Sequence, residues 1–288
     1  RVKLALGTVQ FGMAYGIANP QPQISYAESA AIVEYGRCHG MTLLDTAKDY
    51  GNSEARLGQI GVAAWNVVTK IPEIPECENI TKWFVDSVKE SLGRLKIDSL
   101  YGLLLHRPEQ LLGSRGPEIY SALQRLRSDG LVKKIGVSIY RPDELDSIFS
   151  KGNFDLVQSP LSIFDRRIIN SGWLDRLSDQ GVEVHARSVF LQGLLLMAAS
   201  DRPKKFDHWS DLWGRYHQWV DDSGMSQLEV CLGYAMSIPG IQQVVVGVNG
   251  LSHIKEIIAA TAIACAEPPL DLYTEHTSLL NPVAWLQR

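Results

Sequence analysis

The chain has 288 residues, a net charge of −4 and 45% hydrophobic residues, with 28 Lys and Arg set against 32 Asp and Glu. That length can bury a full core without staples, and a charged fraction of 21% is ordinary for a soluble globular protein. Mild acidity without a run of Lys or Arg argues against nucleic acid or an anionic membrane as partner.

Length alone suggests two domains at about 150 residues each, but barrels of alternating strands and helices commonly pass 250 residues as one unit. Cys38, Cys77, Cys231 and Cys265 are scattered with no Cys-x-x-Cys pair, which suits neither a structural zinc site nor a disulfide framework. No run approaches the roughly 18 apolar residues of a membrane span. The first residues read as a strand rather than a signal peptide, so a reducing cytoplasm is the expected setting.

The spacing predicts strands at Val2–Leu6, Thr42–Thr46, Val67–Ile71, Tyr101–Leu105, Lys134–Ser138, Leu156–Ser159, Glu183–Ala186 and Gln243–Gly247. Several are apolar almost throughout, as parallel strands buried on both faces are. Helical spacing falls between them, at Tyr26–His39, Ile80–Leu95, Ile119–Ser128, a segment opening at Pro142, Trp173–Asp179 and Leu251–Ala262. Eight units averaging about 36 residues favour a single-domain α/β fold over residues 1–288, a (β/α)8 TIM barrel; an open doubly wound sheet is the runner-up. Residues 198–224 read as a long connection before the last strand, and the tail after Pro268-Pro269 as a segment over the barrel mouth.

Barrel chemistry gathers at the carboxyl ends of strands, here Thr8, Asp45, Lys70, His106, Ser138, Gln158, Arg187 and Gly247. A buried Asp45 needs a partner, and Lys70, one strand away, is the natural one. A cation beside Tyr50 is expected to lower its phenol from about 10 and ease proton exchange, making Tyr50 a general acid toward a carbonyl oxygen. His106 is placed to donate a hydrogen bond to the same oxygen. Taken singly, each of these residues also has a structural explanation.

Asp45-Thr46-Ala47-x-x-Tyr50-Gly51, Val68-Thr69-Lys70 and Leu104-Leu105-His106 together resemble the catalytic tetrad of the aldo-keto reductase family. Leu6-Gly7-Thr8-x-x-Phe11-Gly12 and Lys133-x-Ile135-Gly136-Val137-Ser138 resemble that family's first and fifth strands, and Gln192-Gly193-Leu194-Leu195 the loop after its seventh. The resemblance implies an NAD(P)H-dependent oxidoreductase, without metal, that reduces a small aldehyde or ketone, including a sugar-like carbonyl, as a monomer or small homo-oligomer. It places Gly7, Thr8, Asp45, Ser138 and Gln158 around the nicotinamide and its ribose, and Ser188, Phe190 and Gln192 in a loop over the pyrophosphate. Gly247, Asn249, His253 and Glu256 fall in the adenosine-phosphate motif, with Lys255 beside them.

Two positions and one motif depart from the family pattern. Ile139 stands where an Asn often binds the carboxamide, which leaves Gln158 for that contact. Arg187 replaces a stacking aromatic, and a guanidinium can also stack or meet a phosphate. The adenosine-phosphate motif is poor in Arg and Lys, so NADP(H), the family default, stands against NAD(H) as the alternative. Phe11, Tyr15, Phe190 and the Trp209–Trp219 region are expected to select the substrate, and Lys204 and Lys205 to attract an anionic one. Two other functions compete: a Schiff-base aldolase or lyase using Lys70, and a non-catalytic subunit that senses nicotinamide nucleotides.

Overall fold

The computed structural model describes residues 2–16, 22–76, 78–263 and 267–285. Eight parallel strands close on themselves in sequence order: β1 (Leu4–Gly7), β2 (Leu43–Asp45), β3 (Asn66–Ile71), β4 (Leu100–Leu105), β5 (Val132–Ser138), β6 (Leu156–Pro160), β7 (Glu183–Arg187) and β8 (Gln243–Gly247). The principal helices are α1 (Tyr26–Cys38), α2 (Ser53–Ile60), α3 (Ile80–Leu95), α4 (Gly116–Ser128), α5 (Glu144–Phe149), α6 (Trp173–Asp179), α7 (Ser210–Ser223), α8 (Gln227–Ser237) and α9 (Leu251–Ala260). This is the (β/α)8 barrel expected from the alternation of apolar runs and amphipathic stripes. Of the cysteines, Cys38 is exposed and Cys231 buried; Cys77 and Cys265 lie outside the described residues.

Two apolar layers hold the barrel. Outward-facing strand residues such as Leu6, Leu44, Val67, Leu103 and Ile135 join the helix stripes in one continuous core. A second cluster of Ala5, Leu43, Val68, Leu104 and Leu156 fills the barrel interior. That interior is tight: a Cβ on Gly136 would lie 2.0 Å from the Leu156 carbonyl oxygen, so β5 and β6 meet there only because the position is glycine.

The region 198–224 is not an irregular connection. After two short 3-10 turns it forms α7, whose Leu212, Trp213, Tyr216 and Val220 are buried. A capping box, Ser226 with Glu229, then starts α8. Tyr216 donates to the Leu195 carbonyl at 2.8 Å and ties α7 to the loop after β7. The tail crosses the mouth as expected. Arg166 anchors it through the Pro269 and Leu272 carbonyls at 3.0 and 3.1 Å, and Trp285 stacks edge-on against Phe206.

At the opposite end of the barrel, Glu183 accepts from Tyr101 at 2.7 Å and from Lys134, and its other oxygen lies 2.8 Å from His185 Nε2. Burial works against this carboxylate, but the hydrogen bonds from His185, Lys134 and Tyr101 outweigh it and hold Glu183 down to about 2. The unfolded chain therefore binds the extra proton between the ordinary value of 4.5 and about 2, so the stabilisation is complete above 4.5 and lost as pH falls through that window. The linked contribution is about 3 kcal/mol. Denaturant unfolding followed across this window should show stability falling steeply in the parent chain, and Glu183→Gln should flatten the slope while lowering stability above it.

Candidate active site

Register brings the chemistry together. Gly7 pairs with Asp45 on one side and Gly247 on the other, and Ser138 pairs with Gln158. All five stand at the carboxyl rim, around a cavity of about 650 Å³. Its floor is made by Asp45, Lys70, Tyr50 and His106, the four residues singled out in the sequence.

Asp45 and Lys70 are buried together, with side chains 5% and 1% exposed. Lys70 Nζ donates to Asp45 Oδ1 at 2.7 Å, to the Thr46 carbonyl at 3.0 Å and to the Tyr50 hydroxyl at 3.5 Å. Gln158, from the far side of the barrel, donates to Asp45 Oδ2 at 2.7 Å. Each carboxylate oxygen and each ammonium proton thus has a partner, which is what permits a charge pair at this depth. Gln158 therefore meets the rim with its amide nitrogen already committed to Asp45.

The loop carrying Tyr50 is fixed backbone to backbone. A Cβ on Gly12 would sit 1.6 Å from the Tyr50 carbonyl oxygen, and one on Gly51 would lie 2.3 Å from the Gly12 oxygen. Gly51 also has φ +56°, which favours glycine. Below the loop, Thr8 donates through its hydroxyl to the Asp45 carbonyl at 2.9 Å, and Ser53 donates to the Thr8 carbonyl at 2.9 Å.

The expected lowering of the Tyr50 phenol does not occur. Burial raises it above its ordinary 10, the Asp45 charge adds to this, and the pull of Lys70 does not compensate. For Lys70, burial alone would lower the ammonium, but Asp45 and Tyr50 more than reverse this and hold it above its ordinary value. His106 is pushed down to about 4, first by burial and then by the charges of Lys70 and Arg187, so its ring is neutral in ordinary buffers. The rings of His106 and Tyr50 meet edge to face with centroids 6.3 Å apart.

Of the cofactor residues expected from the sequence, Gly7, Thr8, Ser138, Gln158, Arg187, Ser188, Phe190, Gln192 and Gly247 line the same cavity as Asp45. Asn249, His253 and Glu256 are not among its lining residues; they lie beyond Gly247, in the loop and helix that follow β8. Arg187 stacks 4.8 Å over the Tyr140 ring and donates to the Ile139 carbonyl and the Ser188 hydroxyl. Among the described residues no carboxylate pairs with it. Ile139 is fully buried and gives the site only this carbonyl. The loop after β7 is strained, with Ser188, Leu191 and Gln192 all at positive φ. Gln192 donates to Tyr15 at 2.8 Å, a bridge across the cavity rim.

The expected substrate-selecting set is partly corrected. Tyr15 and Phe190 line the cavity, whereas Phe11 is fully buried in the main core and Trp213 packs against Phe164 and Arg202. No member of the Trp209–Trp219 region lines the cavity, because α7 turns its aromatic stripe to the core. Gln10, Tyr140, Pro282, Val283 and Trp285 take their place, and Lys205, not Lys204, reaches the rim. Only the proximity of Tyr140 to the motif ending at Ser138 offers a sequence signal for any of these.

The closed parallel barrel brings a carboxylate, an ammonium, a phenol and an imidazole together at its mouth, groups that are able to exchange protons. A model of the aldo/keto reductase family matches residues 3–268, and the chain belongs to that family. It is 27% identical over 204 residues to the oxidoreductase YqkF of Bacillus subtilis, a match covering 67% of this chain and 65% of that one, just under two thirds of its length. It is 26% identical to a 6-dehydroglucose reductase of Agrobacterium fabrum over 94% of this chain and 95% of that one. The aldo-keto reductase AKR11C1 of Bacillus halodurans shares the fold, with a TM-score of 0.71 at 19% identity over 92% of this chain and 88% of that one. Among the described residues no group of three or more His, Cys, Asp or Glu is placed to hold a metal, and no helix is long and apolar enough to cross a membrane.

The buried pair gives a direct test. Asp45→Asn should leave Lys70 charged and unpaired and cost about 3–5 kcal/mol in denaturant unfolding. Adding Lys70→Met should recover a large part of that loss. Equal stability of Asp45→Asn and the parent chain would remove the pair from its structural role.

Proposed function

We propose that this chain is a nicotinamide-dependent oxidoreductase that reduces an aldehyde or ketone to an alcohol. The observation that carries the reading is the Tyr50 hydroxyl 3.5 Å from Lys70 Nζ, beside a neutral His106, on the floor of the cavity.

The residues fit a dinucleotide. Gly247 lines the cavity beside the Gln10 amide and adds no side chain of its own to this wall. Ser138 and Gln158 offer polar groups at the floor for the nicotinamide end. Arg187, with no carboxylate partner among the described residues, and the Ser188 hydroxyl offer donors to an anionic linkage. A bound reduced nicotinamide would supply the hydride to the carbonyl carbon.

The chain's own residues do the rest. Tyr50 gives its hydroxyl proton to the carbonyl oxygen as electron density reaches it, and its raised phenol keeps that proton loaded at neutral pH. The phenolate left behind is stabilised by Lys70, and Asp45 holds Lys70 in place. His106, being neutral, donates one ring N–H toward the same oxygen without competing as an acid. The cavity walls, closed in part by Pro282, Val283 and Trp285, keep bulk water from the reacting atoms.

The lysine reading is disfavoured by the same geometry. All three Lys70 protons are engaged and its ammonium is held above its ordinary value, so the neutral amine that a Schiff base needs is suppressed. Similarity to a 6-dehydroglucose reductase supports screening sugar aldehydes first.

Tyr50→Phe should lower carbonyl reduction about 100-fold or more while dinucleotide binding, followed by fluorescence quenching, stays within about twofold. Undiminished turnover would remove Tyr50 from its role, and binding without turnover by the parent chain across a broad carbonyl panel would favour the sensing subunit. In the parent chain kcat/KM for reduction should be level between the His106 value of about 4 and the ordinary tyrosine value of 10. It should fall below the first as His106 gains a proton and above the second as Tyr50 loses its own. A fall centred near neutral pH would contradict both shifts.

A further inference from the structure

Asp45, Lys70, Arg187 and Lys205 are the charged residues that line the cavity, and His106 beside them is neutral. Asp45 and Lys70 cancel each other, and Gln158 takes the remaining carboxylate oxygen. Arg187 and Lys205 donate to carbonyls and a hydroxyl, and among the described residues neither pairs with a carboxylate. The wall therefore carries two cations that nothing in it neutralises. The dinucleotide reading employs Arg187, at the end of β7. It has no use for Lys205.

Lys205 is exposed but not loose. It belongs to the short turn Lys204–Trp209, where its neighbour Phe206 is buried in the core. Its ammonium lies 5.4 Å over the Phe206 ring and donates to the Trp285 carbonyl at 3.0 Å. Trp285 is itself fixed: its indole N–H donates to the Ser278 and Leu279 carbonyls at 3.1 Å, and its ring meets Phe206 edge-on. With Pro282 and Val283, Trp285 is the tail's share of the wall, the share that shields the carbonyl in the reduction reading. The charge is thus tied to the cover over the substrate rather than to the strand-end wall assigned to the dinucleotide. Lys204, one residue earlier, does not line the cavity. One bond to a carbonyl leaves the Lys205 ammonium with two N–H donors and its full charge. A carboxylate, with one negative charge and two acceptor oxygens, matches that remainder. A phosphate monoester brings up to twice the charge and is better served by the fork of an arginine.

We propose that the carbonyl substrate of this chain also carries a carboxylate, which Lys205 receives at the rim while the aldehyde or ketone lies against Tyr50 and His106. The inference rests on the reduction proposed above and names its substrate class. The carboxylate takes no part in the bond changes. It orients the carbonyl over the floor and leaves unaltered on a hydroxy acid. Two cations at a recessed mouth also draw anions in, an attraction that salt screens.

The test is reduction kinetics on the full chain with aldehydes of increasing chain length, each ending in a carboxylate or in the neutral amide, and a phosphate-ended set beside them. At the best chain length the parent's kcat/KM should favour the carboxylate over its amide about fivefold or more, chiefly through KM, and rising salt should shrink the margin. Lys205→Met should bring the two within about twofold, whereas Lys205→Arg should keep most of the margin. Lys204→Met removes the same charge from a residue off the cavity and should leave the margin whole. Dinucleotide affinity of Lys205→Met, followed by fluorescence, should stay within about twofold of the parent's. Thermal midpoints establish folding, and Lys205→Gln replaces the methionine variant if that one does not fold. Four results overturn the proposal and leave the reduction reading standing: no carboxylate preference in the parent, a preference that survives in folded Lys205→Met, a larger gain for the phosphate set, or weakened dinucleotide binding with the margin intact. Reduction of no carbonyl of any kind overturns both.

Discussion

The ion pair between Asp45 and Lys70 is the constraint on which the site depends. Two charges at 5% and 1% exposure survive only if every donor and acceptor is answered, and the answers come from three strands. Lys70 is supplied by β3, Asp45 by β2, and Gln158 arrives from β6 on the other side of the barrel. The pair therefore reports whether the barrel has closed in register. A slip of one residue in any of these strands would turn its side chain outward and strand the others. Chemistry and closure are the same event at this rim, because the ammonium that satisfies Asp45 is also the one that faces the Tyr50 hydroxyl.

Burial, more than charge, sets the protonation of the two groups nearest the reacting centre. It raises Tyr50 and lowers His106, and the cation shared between them modifies each by less. The phenol is thereby kept as a loaded acid and the imidazole as a neutral donor, so only one of the two is available to give up a proton at neutral pH. Reasoning from the Lys70 charge alone gets the sign wrong for Tyr50, because the charge is visible in a sequence and the desolvation of the ring is not. The opposite error does not arise for His106, where burial and the neighbouring cations push the same way.

What the sequence discloses follows from how local the cause is. Helices Ile80–Leu95 and Trp173–Asp179 and strand Gln243–Gly247 appear at the limits read from their patterns, since one apolar stripe or run determines each. The four residues of the floor are legible because they stand at fixed places on strand ends and because Gly12 and Gly51 sit within the quoted motifs. The helix Ser210–Ser223 is missed because its buried stripe is aromatic and interleaved with charges, which reads as a polar loop, although the capping box at Ser226 and Glu229 marks the start of the next helix. Ser53–Ile60 is short, and its Ser53 and Glu54 are buried to support Thr8 and Thr69 rather than to form an apolar face. The cavity wall is least legible: Gln10, Tyr140 and Trp285 acquire their surroundings from segments distant in sequence, and the only signals are the motif just before Tyr140 and the placing of the tail over the mouth.

This division has a consequence for how the site can vary. The floor is built from inward-facing rim positions of a closed barrel, where each residue is fixed by hydrogen bonds to two or three others, so little can change without loss of the fold. The walls come from the segments after β1, β5 and β7 and from the tail, which are held to the barrel by a few contacts such as Tyr216 on the Leu195 carbonyl and Arg166 and Phe164 on the tail. Arg187 stands between the two regimes. It is fixed at a strand end, yet its guanidinium is held by one carbonyl and one hydroxyl and rests on an aromatic face, none of which neutralises it. Its charge adds, after burial and Lys70, to the lowering of His106, so the floor's electrostatics include one cation that belongs to its edge rather than to its hydrogen-bonded network.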